Sequence, residues 1–149
     1  MKSKVTSNRI TMIVLAAATL LAQTQQAHAE TAVLRCQVRY ASDTTLIEAR
    51  PTTDPYTVTS QDIGGRFRFK AVMAGKDQHV DHIALYAYDM EMPGAPLLIH
   101  EVVHQAPFPD KPQLPGLTGW NHVYSARLGR EMVYGCTLTM PTNNNKATP

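Results

Sequence analysis

Two cysteines, one in each of two alternating segments at opposite ends of the chain, constrain the fold more than any other feature. Leu34, Cys36, Val38 and Tyr40 alternate with Arg35, Gln37 and Arg39. Near the other end, Met132, Tyr134, Cys136, Leu138 and Met140 share one face of a run over residues 130–140. A period of two marks a half-buried β-strand. Cys36 and Cys136 both fall on the apolar face. A disulfide between them therefore ties the first strand to the last, inside the core or across adjacent strands, and closes a loop of about 100 residues.

Whether such cysteines oxidise depends on compartment, and the start of the chain speaks to that. Lys2, Lys4 and Arg9 precede an apolar run over residues 10–21, and Ala27-His28-Ala29 offers the small-x-small pattern cut by a signal peptidase. The run is too short to span a bilayer, and a polar stretch over residues 23–26 follows it. The expectation is a cleaved signal peptide over residues 1–29, a mature chain from Glu30 without a membrane span, and a periplasmic or secreted location. An exported chain with an even number of cysteines is expected to pair them.

Loss of the leader reverses the charge balance. Three of the 14 basic residues leave with it and none of the 12 acidic ones, leaving 11 against 12, a net of −1. Nucleic acid is not the partner expected of such a chain. The remaining residues, about 120, suffice for one domain with one core.

Further strand signals lie between the cysteines. Residues 44–50 read as a second strand after a turn at Ser42-Asp43, and Pro51 stops it. Residues 52–62 are polar and turn-rich, with a short extended piece expected over 56–59. After Gly64-Gly65, Phe67 and Phe69 face one way and Arg66, Arg68 and Lys70 the other. A turn is expected at 75–78. Ile83, Leu85 and Ala87 then alternate with Ala84, Tyr86 and Tyr88, a strand apolar on both faces that Pro93-Gly94 ends. Short strands separated by turn signals predict a mostly β fold, a small antiparallel β-sandwich or barrel-like domain over residues 30–141, followed by a disordered polar tail over 142–149. Tyr134, two residues before Cys136, resembles the tyrosine of immunoglobulin domains. The cysteines are too widely spaced for that family, and Trp120 lies in a loop.

The least regular stretch runs over residues 105–121. Pro107, Pro109, Pro112 and Pro115 prevent ladder pairing there, and Phe108, Leu114, Leu117 and Trp120 are interleaved with them. Long loops of this kind are often functional. One expectation is an interaction loop that presents these four side chains. The other is that they pack onto the edge of the sandwich.

One motif carries possible chemistry. His100-Glu101-Val102-Val103-His104 fits H-E-x-x-H and resembles the zinc signature of the zincin metallopeptidases. On a helix, residues four apart are neighbours, so two imidazoles can share one zinc while the glutamate acts as base toward zinc-bound water. The resemblance implies His100 and His104 as ligands, Glu101 as the catalytic base, and Asp110 as third ligand, six residues past His104. Pro107 stands where the metzincin branch has glycine. Met132-x-Tyr134 resembles that branch's methionine turn, and Glu131 is another conceivable ligand. The motif works only on a helix. In a strand the two imidazoles lie about 13 Å apart at ~3.3 Å per residue, and Glu101 points to the other face. Pro96 and Pro107 suit the ends of a helix. The β-branched residues and the preceding Pro-Gly turn suit a hairpin strand.

A third possibility is a copper or zinc site drawn from His79, His82, His100, His104 and His122 with Met73, Met90 and Met92, since imidazole and thioether suit copper. The sequence reading favours a non-catalytic, exported binding or accessory protein without a cofactor, whose partner is a protein or small molecule. A zinc peptidase and a metal-handling protein are the alternatives.

Overall fold

The computed structural model describes residues 31–90, 95–127 and 129–141. The expected leader, the Pro93-Gly94 turn with Glu91 and Met92, and the expected tail lie outside the described residues.

The domain is a β-sandwich of two sheets. The strands are β1 (Val33–Tyr40), β2 (Asp43–Ala49), β3 (Pro51–Thr52), β4 (Gln61–Ile63), β5 (Phe67–Lys76), β6 (His79–Asp89), β7 (Leu97–Gln105), β8 (Asn121–Ser125) and β9 (Arg130–Thr139). The first sheet is antiparallel, in the order β2-β1-β9-β8. In the second, β5, β6 and β7 run antiparallel, and β3 and β4 pair with successive parts of the outer edge of β5. Phe67, Phe69, Ala71 and Met73 from β5 and Ile83, Leu85 and Ala87 from β6 face Leu34, Val38, Met132, Tyr134 and Leu138 across the core. The alternation legible in these segments is the burial pattern that forms.

Cys36 and Cys136 are bonded and stand directly opposite each other in the β1–β9 ladder, with Cα atoms 4.0 Å apart. The bond is thus both a link between adjacent strands and part of the core. Such bonds form and persist in oxidising, extracytoplasmic compartments.

Several local expectations are corrected. Residues 55–57 form a short 3-10 helix instead of an extended piece. Asp54 caps it by accepting the Tyr56 amide, and Pro55 sits at its start, where a missing N–H costs nothing. The turn expected at 75–78 shrinks to Asp77-Gln78, because a register shift between Ala74 and Gly75 lets β5 run on to Lys76. The short strands β3, β4 and β8 carry too few alternating residues to be read from sequence. The segment that could have been a helix is strand β7. Its β-branched residues pair with β6, so the helix required by the peptidase arrangement is not formed.

The disulfide closes most of the domain into one loop, so its loss should be costly. Replacing both cysteines by alanine is expected to lower the stability by about 4–5 kcal/mol on the chain-entropy scale. Urea unfolding followed by circular dichroism checks this, and an unchanged midpoint would contradict it.

Candidate functional site

Strand geometry decides where the motif residues point. Residues directly opposite each other in an antiparallel pair share a face. His100 stands opposite Ala87 and His104 opposite Ile83, both core residues, so the two imidazoles turn inward. Glu101 stands opposite Tyr86 and turns outward. The His100 Nε2 lies 2.8 Å from the Tyr134 hydroxyl and shares a hydrogen bond with it across the two sheets. Burial pushes the Tyr134 phenol up to about 12, so the hydroxyl keeps its proton. His104 is half-buried, and its Nε2 is shielded from water without a hydrogen-bond partner among the described residues. Burial holds its pKa below the ordinary value.

Two imidazoles four strand residues apart, about 13 Å by the rise of an extended chain, do not share one ion. Asp110 is exposed on the loop that follows. The wider histidine and methionine set is also dispersed. Met73 is in the core, His79 pairs with Asp81 at the start of β6, and His122 pairs with Glu131 on the outer face of the other sheet. Among the described residues no group of three or more histidine, cysteine, aspartate or glutamate side chains is placed to hold a metal.

The structure brings together the loop over residues 106–120 and the outer face of the first sheet. Leu117 is buried in the core, Phe108 packs against it, and Trp120 and Leu114 remain partly exposed. The loop is fixed along β9. The Leu117 amide donates to the Cys136 carbonyl at 3.0 Å. The Cys136 amide donates to the Thr118 hydroxyl at 2.9 Å. The Thr137 hydroxyl donates to the Lys111 carbonyl, also at 2.9 Å. Gly135 makes the close approach possible, since a Cβ there would lie 2.6 Å from Pro115 and 2.8 Å from the Trp120 ring. Glycine inside a strand is the sequence signal for such an approach. The sequence reading missed it.

The loop covers β9 and leaves the outer face of the β1–β2 hairpin open. A groove of about 320 Å³ runs between them, lined by Leu46, Pro112, Leu114, Gln37 and Thr137 and flanked by the Arg35–Glu48 ion pair. Leu46 is 75% exposed. The curl of the loop borders a second, open pocket of about 560 Å³, which Asp110 and Lys111 help to line. Next to the groove the Arg39 guanidinium lies 4.3 Å from the centre of the Trp120 ring, a cation–π contact. Of the interaction-loop residues named from sequence, Leu114 and Trp120 therefore face outward, while Phe108 and Leu117 anchor the loop. Arg39, Leu46 and Gly135 are the contributors that sequence alone did not single out.

Comparison with protein-family models, with curated proteins and with solved structures finds no match to this chain.

Two outcomes follow from this geometry. Gly135→Ala is expected to push Trp120 and Pro115 off the strand, costing about 1–3 kcal/mol and shifting the emission of the single tryptophan. Unchanged emission would show that the loop does not rest on Gly135. His104 is held neutral in the fold, so its share of stability is complete above its ordinary pKa of 6.5 and is lost as the pH falls below that value toward its lower folded-state pKa. His104→Leu should flatten the loss of stability between neutral and mildly acidic pH, as read from urea midpoints. An equal loss in both proteins would place the effect elsewhere.

Proposed function

We propose that this is an exported, non-catalytic binding or accessory protein of the periplasm or cell exterior, and that it engages its partner in the groove between the β1–β2 hairpin and the loop over residues 106–120. The observation that carries the proposal is the combination of a fixed loop with an uncovered apolar groove. Four prolines, the Leu117 anchor and three hydrogen bonds to β9 hold the wall in place. A preorganised wall loses little conformational entropy when a partner docks. Leu46 and Leu114 supply apolar surface, and the Arg39–Trp120 pair supplies an aromatic and cationic rim. Aromatic and arginine side chains beside an apolar centre are the usual composition of a protein-binding patch. The leader pattern and the disulfide support export.

The motif that suggested catalysis points its two imidazoles into the sandwich and its carboxylate away from them. That arrangement supports the non-catalytic reading over a zinc peptidase.

Panning a phage-displayed library of random peptides against the oxidised domain tests the proposal, with Trp120 emission as the reporter of binding. Peptides carrying aliphatic or aromatic side chains are expected to be selected. Their binding should weaken by about tenfold or more in Leu46→Asp and persist in Leu97→Asp, which lies on the other sheet. Selected peptides that bind Leu46→Asp as well as wild type would remove the groove from consideration.

A further inference from the structure

Strand β7 forms an edge of the second sheet. The Met90 amide donates to the Arg66 carbonyl at 2.9 Å, which sets the alternation along β6. Its even-numbered residues bond β5 and its odd-numbered residues bond β7. His100, Val102 and His104 therefore spend their backbone groups on Ala87, Leu85 and Ile83. The amides and carbonyls of Glu101, Val103 and Gln105 face away from the sheet. No backbone hydrogen bond among the described residues takes them up.

The side chains along this edge do little to discourage pairing. Leu97, Leu98 and Val103 are 58%, 44% and 47% exposed. Glu101 is the only charged residue in the nine of β7, and the strand contains neither lysine nor proline. The other edges are shorter or charged. β3 and β4 have two and three residues, β8 has five, and β2 carries Asp43 and Glu48. Proteins that remain single normally blunt a long edge with charge, proline or shortness.

We propose that a second copy of this chain pairs with β7, antiparallel about a two-fold axis through Val102, so that the second sheet continues from one protomer into its partner. The strand is complementary to itself in this register. Glu101 lies opposite Val103, His100 opposite His104, and Val102 opposite Val102, so outward residues meet outward residues and inward meet inward. Pairing centred on Glu101 would set two carboxylates face to face. Pairing centred on Val103 would bring Pro107, which lacks an N–H, opposite residue 99 and shorten the ladder. The Val102 register pairs residues 99–105 without facing like charges. Over the whole sequence 14 basic side chains stand against 12 acidic ones, a net of +2, which offers little net repulsion. A two-fold isologous contact of this kind closes on itself and stops at a dimer.

The register makes the test specific. The Val103 amide points outward, so Val103→Pro removes an edge donor and leaves the β6–β7 ladder intact. Sedimentation velocity of the oxidised protein is expected to give a dimer for wild type, with the dimer dissociation constant raised by about tenfold or more in Val103→Pro. Val102 sits on the axis in a closely spaced pair without mutual hydrogen bonds, the arrangement that Cys36 and Cys136 already occupy. Val102→Cys is therefore expected to form a covalent dimer on oxidation, read on a non-reducing gel. A wild-type protein that stays monomeric at the highest soluble concentration would overturn the proposal. So would a dimer that Val103→Pro leaves unchanged. A dimer in which Val102→Cys does not cross-link would overturn the register. Should Val103→Pro not fold, the cross-link still decides.

Discussion

The direct opposition of Cys36 and Cys136 in the β1–β9 ladder organises the rest of the first sheet. Residues bonded side chain to side chain at a closely spaced pair turn their backbone groups away from each other. The Cys136 amide and carbonyl consequently face the side of β9 that lies away from β1. Strand β8 reaches only as far as the Asn121–Tyr134 pair on that side, so two buried polar groups are left beyond its end. Leaving each unsatisfied would cost about 1–3 kcal/mol. The Leu117 amide and the Thr118 hydroxyl satisfy them. That requirement draws the loop onto β9, sends Leu117 into the core and sets Trp120 and Pro115 down on Gly135. The position of the proposed binding groove follows from the register of one covalent bond.

Two polar contacts link the sheets on this same β7–β8 side of the sandwich. Ser125 donates to Asp89 at 2.6 Å, and His100 meets Tyr134. Each contact joins one sheet to the other. Buried polar groups that find partners add specificity to a fold. They explain why an interior-facing histidine is compatible with this edge. A spacing of four residues is even, so on a strand it puts both histidines on one face, much as it would on a helix. The same five letters thus satisfy a helical metal site and a half-buried strand, and only the secondary structure separates the two.

Much of the fold was legible where alternation was long and apolar. The faces of β1, β5, β6 and β9, the pairing of the cysteines and the anchoring role of part of the proline-rich loop could all be argued from residue order. The short strands β3, β4 and β8 could not, because two to five residues form strands by virtue of a neighbour, not by their own pattern. The 55–57 helix was hidden for a related reason. Asp54 and Pro55 stabilise a turn whose register depends on the chain around it. Of the candidate site, Leu114 and Trp120 could be named in advance. Arg39 and Leu46 could not, since nothing in a strand's own residues says which part of its outer face a distant loop will leave open.

Residue order alone sets the class of fold, the apolar faces of the principal strands and the partners in the disulfide. Those properties depend on side-chain period and on cysteine chemistry, both of which are local. The tertiary structure alone decided that residues 97–105 form an edge strand, that the two histidines of the motif look into the core, and that a groove opens beside the loop. Each of these depends on which strand lies alongside, and adjacency is set by backbone hydrogen bonds between residues far apart in the chain.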